Sequence, residues 1–286
     1  MAEQRFEHIL YEVIEGNIAK VTQNRPEVMN AQDSLMLEEI EDAFVQADTD
    51  PNVRVIILAG AGKHWSSGHD LGSKDRKQPK NRPMMPTERK GPEDGLLAEE
   101  VIFYKQSLTL RNVTKPTIAM VQGACAAGAL FTACMCDLII ASEDAYFWNP
   151  TLRRIPISAL ELLVEPYEMG FRRSKEFMWL SRKVTAQEAL ELGWVMRVVS
   201  LAKLQEETLS VARSLAEAPP IAIRLSKKVI NHAWDMTGQR DAWDYNILMH
   251  NFDHWTAESR NQAGTMRSIQ QGNVAAWLKE QEKKGA

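Results

Sequence analysis

Val53-Arg54-Val55-Ile56-Ile57-Leu58-Ala59 is followed closely by Lys63-His64-Trp65-Ser66-Ser67-Gly68-His69-Asp70-Leu71, so a nearly continuous β-branched run gives way to a turn of small and polar residues. Apolar residues at successive positions, rather than alternate ones, describe a strand covered on both faces. The same succession recurs downstream, where Thr117–Val121 reads as a strand and Gln122-Gly123-Ala124-Cys125-Ala126-Ala127-Gly128-Ala129-Leu130 as a turn entering a small-residue helix. A helix start leaves N–H groups without partners, and these favour negative charge. Small side chains let a ligand come close to that backbone. Two such turns side by side make an oxyanion hole, which steadies an enolate or a tetrahedral oxyanion. Either turn alone also serves tight packing, because glycine-rich turns are common.

Outward from these turns, Ile9–Gln23 reads as a strand, and 33–48 as a helix capped by Asp33 or Ser34 with Leu35, Leu37, Ile40, Phe44 and Val45 on its apolar side. Strand, helix, strand begins an α/β layout with right-handed crossovers. Leu138–Ala141 and Tyr146-Phe147-Trp148 are further strands. Thr185–Leu192 is a helix opened by a threonine cap and closed at Gly193, with Val195–Val199 returning as a strand. Leu204–Ala216, Ile221–Trp234, Gln239–Trp255 and the Lys-rich Ala275–Lys284 read as amphipathic helices. The division expected is a core over residues 1–200 and a helical region over 201–286. The segment 72–95 holds four prolines and seven Lys/Arg with little that is apolar, and reads as a long mobile loop.

The bulk properties exclude several classes. With 286 residues, 44% hydrophobic, there is ample core. A net charge of -4 argues against nucleic-acid binding. No apolar stretch is long enough to span a membrane, and Met1–His8 lacks the apolar core of a signal peptide, so the expected location is the cytoplasm. Cys125, Cys134 and Cys136 read as small core residues.

Read together, Asn24-Arg25-Pro26, Asn30-Ala31, Ser67-Gly68-His69-Asp70-Leu71, Lys115-Pro116-Thr117-Ile118-Ala119, Gly123, Gly128, Cys136-Asp137-Leu138-Ile139-Ile140-Ala141 and Thr185-Ala186-Gln187-Glu188-Ala189-Leu190 stand in an order that resembles the crotonase (enoyl-CoA hydratase/isomerase) superfamily. The resemblance runs from about residue 8 to about residue 235. It implies an α/β, crotonase-like spiral of ββα units with a helical C-terminal trimerisation region, assembled as a homotrimer or a dimer of trimers. It implies an acyl-CoA thioester as ligand, with coenzyme A as part of the substrate and no metal or redox cofactor. The implied oxyanion donors are the backbone N–H groups of His69 and Gly128, and Lys63, Ser67, Asp70 and Leu71 flank the coenzyme, with Val28 and Met29 near by and Arg25 towards the phosphates.

The sequence departs from the family where its hydratases carry two glutamates. Those positions hold Phe131 and Thr151, and neither is a general base near neutral pH. Decarboxylation or C–C cleavage, by a lyase or hydrolase that needs enolate stabilisation, is therefore expected ahead of simple water addition. A catalytically silent thioester binder and a cyclic-diketone hydrolase without coenzyme A are the rivals. His69 titrates in the right range for proton transfer, with a solvent- or coenzyme-facing turn side chain as the plainer account. Glu161 and Glu165 share a helix face, with an ordinary charged surface as theirs. Asn149 is placed to bond a substrate carbonyl or water, and Trp148 and Phe131 narrow an acyl pocket or belong to the core. His250 and His254 lie one turn apart, His232 lies on a separate segment, and no third ligand is evident beside Asp253. These histidines are therefore expected at an oligomer contact rather than on a metal.

Overall fold

The computed structural model describes residues 6–15, 17–75, 77–80, 93–154, 161–257 and 259. Residues 9–23 form a hairpin rather than a single strand. β1 (Ile9–Ile14) and β2 (Ile18–Gln23) pair antiparallel, and Glu15 takes a positive φ of 52° at the reversal. Asn17, donating its N–H to the Ile14 carbonyl, closes the turn. The partial alternation of the stretch hid the reversal at Glu15. Helix α1 (Ser34–Thr49) follows, capped by Asp33, whose Oδ1 accepts the Met36 N–H at 2.8 Å. β3 is Val55–Gly60.

After residue 92, α2 (Glu93–Glu99) continues through a wider π turn, Glu100–Lys105, into α3 (Gln106–Asn112). β4 (Thr117–Val121), β5 (Ala124–Ala126), α4 (Gly128–Cys134), β6 (Leu138–Ser142) and β7 (Tyr146–Trp148) come next. The chain goes on through α5 (Thr151–Arg154), α6 (Glu165–Met169), α7 (Phe171–Trp179), β8 (Lys183–Thr185), α8 (Ala186–Leu192) and β9 (Arg197–Val199). Three long helices, α9 (Leu204–Glu217), α10 (Pro220–Asp235) and α11 (Gln239–Asp253), finish the described chain. At α8, Thr185 and Glu188 form a reciprocal capping box and Gly193 ends the helix in the left-handed region, as the sequence indicates.

The main sheet has the order β1-β2-β3-β4-β6-β9, parallel from β2 onward, and β5-β7-β8 make a second, smaller sheet. Both faces of the main sheet are covered, which accounts for the unbroken apolar run of β3. Ala19, Val21, Ile56, Leu58 and Ala119 join one core with Met36, Ile40 and Phe44 of α1. Ile18, Val55, Ile57, Ile118 and Ile140 join another with Leu204, Leu209 and Ala212 of α9. Residue 200 is thus not the edge of the core, because α9 seals the sheet's second face.

Part of the segment expected to be loose is tied down. Lys77 donates its backbone N–H to Asp33 Oδ2 at 2.7 Å, and Lys80 its own to Glu38 Oε1 at 3.2 Å. Residues 81–92 and the expected helix Ala275–Lys284 lie outside the described residues. Among the described residues, no helix is long and apolar enough to cross a membrane.

Candidate functional site

The two turns singled out in the sequence are stitched together. Trp65, fully buried, donates its N–H to the Gln122 carbonyl at 2.8 Å. Ser66 donates its N–H to the Ala124 carbonyl at 3.0 Å and its own carbonyl accepts the Ala126 N–H at 3.1 Å, an isolated parallel bridge opposite Cys125. Asn30 fixes the first turn from below, donating from Nδ2 to the carbonyls of Ala61, His64 and Trp65. His64 clips the second turn: its Nδ1 accepts the Ala124 N–H at 3.1 Å, a role that requires an unprotonated nitrogen. Burial, with the Lys63 charge, keeps its pKa below the ordinary value.

The direction of the His69 backbone follows from its neighbours. Gln32 donates to the Gly68 carbonyl at 2.8 Å and accepts the Asp70 N–H at 2.9 Å, a parallel bridge opposite His69. Along an extended strand a residue's own N–H and carbonyl point away from the neighbour that bonds its flanking residues. The His69 N–H therefore faces away from Gln32. Gly68, at φ +90°, packs so closely on the second turn that a methyl there would lie 2.6 Å from the Ala126 carbonyl oxygen and 2.8 Å from the Gly128 nitrogen. The segments bearing the two expected donors thus meet. Ala127, just before Gly128, sits at φ 50°, a left-handed strain of about 1–3 kcal/mol for a non-glycine residue. Neither the His69 N–H nor the Gly128 N–H has a backbone partner among the described residues.

Above this junction lies a set of acids and histidines. The His69 ring rests on Gly128, where an added methyl would come within 2.7 Å of its Cδ2, and stacks on Phe103 at 4.1 Å between centroids. Its Nε2 is 3.3 Å from Glu161 Oε1, an ion-pair contact rather than an aligned hydrogen bond. Burial would raise the Glu161 carboxyl, but His69 and His250 hold it at about 2. Glu165 is the opposite case. Fully buried, it is pushed up to about 7 by desolvation, against the lowering effect of its backbone bonds and of Asn149. Glu168 is raised to about 8 by burial and by Glu165. Two neighbouring carboxyls whose environments drive their pKa values apart form a typical acid/base pair.

Glu165 reaches this position through Asn149, which donates from Nδ2 to Oε1 at 3.1 Å. The other end of the Asn149 amide accepts from the Thr151 backbone at 3.3 Å and from its hydroxyl at 2.5 Å, so Asn149 and Thr151 position Glu165. The Trp148 carbonyl accepts the Ala127 N–H at 2.9 Å, which sets this end of β7 against the second turn. Trp148 itself is anchored by Ser181, and Phe131 is core. Glu161 and Glu165 are thus interior groups, not a charged helix surface, and they do not share a helix face, because Glu161 lies in a bend ahead of α6. Hydropathy pattern gave no sign of this, because Leu162 and Val164, which are buried with them, also suit a half-exposed helix.

The expected coenzyme residues divide. Lys63 is exposed, and Ser67, Leu71 and Val28 are half-buried. Met29 is 37% exposed and its carbonyl accepts the Ser67 N–H, which sets these two residues side by side. Arg25 and Asp70 are unlike them. Arg25 is 2% exposed, and its guanidinium bonds Asp70 at 2.8 Å, the Ala31 carbonyl at 2.7 Å, Ser73 at 2.7 Å and Asp75 at 2.8 Å. Asp70 also accepts the N–H groups of Gly72 and Ser73. The pair locks the end of the first turn, and its charges are satisfied inside the protein rather than offered to phosphates.

The C-terminal histidines separate as well. His232 is exposed on α10, whereas His250 and His254 of α11 converge on Glu99 of α2. His250 is 3% exposed and its Nε2 also lies 3.8 Å from Glu161. No spacing rule could find Glu99 as their companion, because the contact is made only by the fold.

Known proteins share this arrangement of elements. The model for the family described as enoyl-CoA hydratase/isomerase matches residues 13–271. EchA13 of Mycobacterium tuberculosis, which carries an enoyl-CoA hydratase name, is 36% identical over 260 residues, covering 88% of this chain and 82% of that one. A hydroxycinnamoyl-CoA hydratase-lyase of Pseudomonas fluorescens is 32% identical over 232 residues, 80% of each chain. The crystal structure of an enoyl-CoA hydratase/isomerase from Xanthobacter autotrophicus Py2 superposes with a TM-score of 0.81 at 28% identity, covering 99% of this chain and all of that one.

Proposed function

The chain belongs to the enoyl-CoA hydratase/isomerase family, and from that premise we propose that it is a lyase that binds an acyl-CoA thioester and passes through an enolate. The thioester oxygen is held by the backbone N–H groups of His69 and Gly128. The observation that carries this reading is the contact of the two turns, so close that Gly68 tolerates no side chain against Gly128. Coenzyme A runs along the rim formed by Val28, Met29, Lys63, Ser67 and Leu71. Subunits associate as a trimer or paired trimers through α10, whose Ile221, Leu225 and Val229 are 64%, 55% and 66% exposed on one face.

Proton transfer falls to groups other than the family's two glutamates. Glu165, with a pKa of about 7, serves as donor to or acceptor from the α-carbon. Glu161 positions the His69 ring over the oxyanion turn. These buried acids favour an active enzyme over a silent binder. They also supply what activation of a water requires, so C–C cleavage with prior hydration, the pairing named in the Pseudomonas relative, is the favoured reaction. The test is turnover and affinity with crotonyl-CoA, a hydroxycinnamoyl-CoA and methylmalonyl-CoA, for the wild type and Glu165→Gln. Addition of water to the hydroxycinnamoyl-CoA double bond and C–C cleavage to an aryl aldehyde and acetyl-CoA, lost in the variant, support the reading. Tight binding of every ester without turnover points to a silent module, and failure to bind any of them removes the thioester assignment.

A further inference from the structure

We infer that Glu99, His250 and His254 form a binding site for a divalent transition-metal cation. This site goes beyond the thioester chemistry and does not depend on it. One donor atom from each residue lies within 4.8 Å of the others. The Glu99 carboxylate spans the two imidazoles, with Oε2 3.2 Å from His250 Nε2 and Oε1 3.2 Å from His254 Nδ1. Donors bound at about 2.0–2.1 Å in a tetrahedral shell stand roughly 3.3 Å apart, so the cluster needs little movement to close on an ion.

Three features separate this arrangement from an ordinary ion pair. The histidines are one helical turn apart, His250 in the last turn of α11 and His254 its helical C-cap, which directs both rings to the same side. Their rings lie 4.4 Å apart between centroids, and each turns a nitrogen to a different oxygen of the same carboxylate. His254 Nε2 is also enclosed without a hydrogen-bond partner among the described residues.

The donor set has two nitrogens and one carboxylate and no thiolate. It therefore suits Zn²⁺, Co²⁺, Ni²⁺, Mn²⁺ or Fe²⁺ rather than a cation that selects sulfur. Three protein donors leave a position for water or another oxygen ligand, as in sites of reactive rather than purely structural type. Glu161, 3.8 Å from His250 Nε2, links this corner to His69 at the oxyanion turn.

The experiment is titration of the metal-stripped full-length chain with Zn²⁺ by calorimetry and with Co²⁺ by visible absorption. Both are repeated for His254→Ala, His254→Gln and Glu99→Gln, with circular dichroism confirming that each variant is folded. The expected result is one ion per wild-type chain, Co²⁺ ligand-field bands, proton release on binding, and affinity at least about tenfold weaker in each folded variant. Absence of stoichiometric binding in the wild type would overturn the inference, as would equal binding by His254→Gln and wild type, which would place the ion elsewhere. Because none of these readouts uses an acyl-CoA, failure here leaves the thioester reading untouched, and failure of that reading leaves this one untouched.

Discussion

Replacing Glu165 by glutamine should increase stability while abolishing activity, and pH separates the two effects. The carboxyl is fully buried and its pKa is pushed up to about 7 from an ordinary 4.5. That difference corresponds to roughly 3 kcal/mol between its two protonation states. Because the folded-state value is the higher one, the folded chain holds the proton more tightly than the unfolded chain does. The stability this proton contributes is complete below about pH 4.5 and is lost as the pH climbs through about 7. Glutamine never ionises. Glu165→Gln is therefore expected to exceed the wild type by up to about 3 kcal/mol at pH 8, and by much less at pH 5. Any cost of burying the amide is the same at both pH values and cancels in the comparison. Glu168, raised partly by Glu165, titrates in the same window and shifts the difference in the same direction when its neighbour's charge is removed. Urea unfolding of both proteins at the two pH values measures the effect, and turnover of a reactive acyl-CoA should fall by about 10²–10⁴-fold. An equal stability difference at both pH values, or wild-type turnover in the variant, would refute the reasoning.

Gly68→Ala should destabilise the fold by about 1–3 kcal/mol and lower turnover, because its methyl meets the Ala126 carbonyl and the Gly128 nitrogen at a positive φ; thermal unfolding and acyl-CoA kinetics check this. Arg25→Met should cost about 3–5 kcal/mol at neutral pH by stranding the buried Asp70 carboxylate, with the deficit shrinking as acid protonates it, a trend visible in unfolding curves taken at falling pH. Glu161→Gln removes the carboxylate facing His69 and, on the proposed function, should reduce kcat more than KM, because the ring it orients lies over the oxyanion turn and not along the coenzyme rim. Equal changes in both constants would place Glu161 in binding instead.

Much of the architecture was legible because local chemistry and global fold agree. The continuous run of β3 announced a doubly covered strand, Asp33 and Thr185 marked helix starts, and the two glycine turns marked the meeting point. What stayed hidden depends on contacts between distant residues. The reversal between β1 and β2 includes a left-handed backbone angle at Glu15 that alternation does not show, and the three-residue strand Ala124–Ala126 has no pattern apart from its partner Tyr146–Trp148. Arg25 is the most instructive case. A cation near an expected phosphate site suggests recognition, yet in the fold its charge is consumed by Asp70, a residue the sequence places on that same site. Glu161 and Glu165 read as surface because their burial comes from packing by other segments, including Trp243, which donates from Nε1 to the Leu163 carbonyl at 2.9 Å.

The Gln32 bridge that turns the His69 amide away has a consequence for how such a protein can diverge. In the proposed function the grip on the carbonyl oxygen lies in main chain and is nearly indifferent to which side chains stand at 69 and 128, provided the turns still touch. The acids come from a separate stretch, residues 161–168, joined to those turns by one amide side chain and one ion pair. Substitutions in that stretch can exchange one reaction for another without disturbing the hold on the thioester, so descendants of this scaffold are free to change what they make while keeping what they grasp.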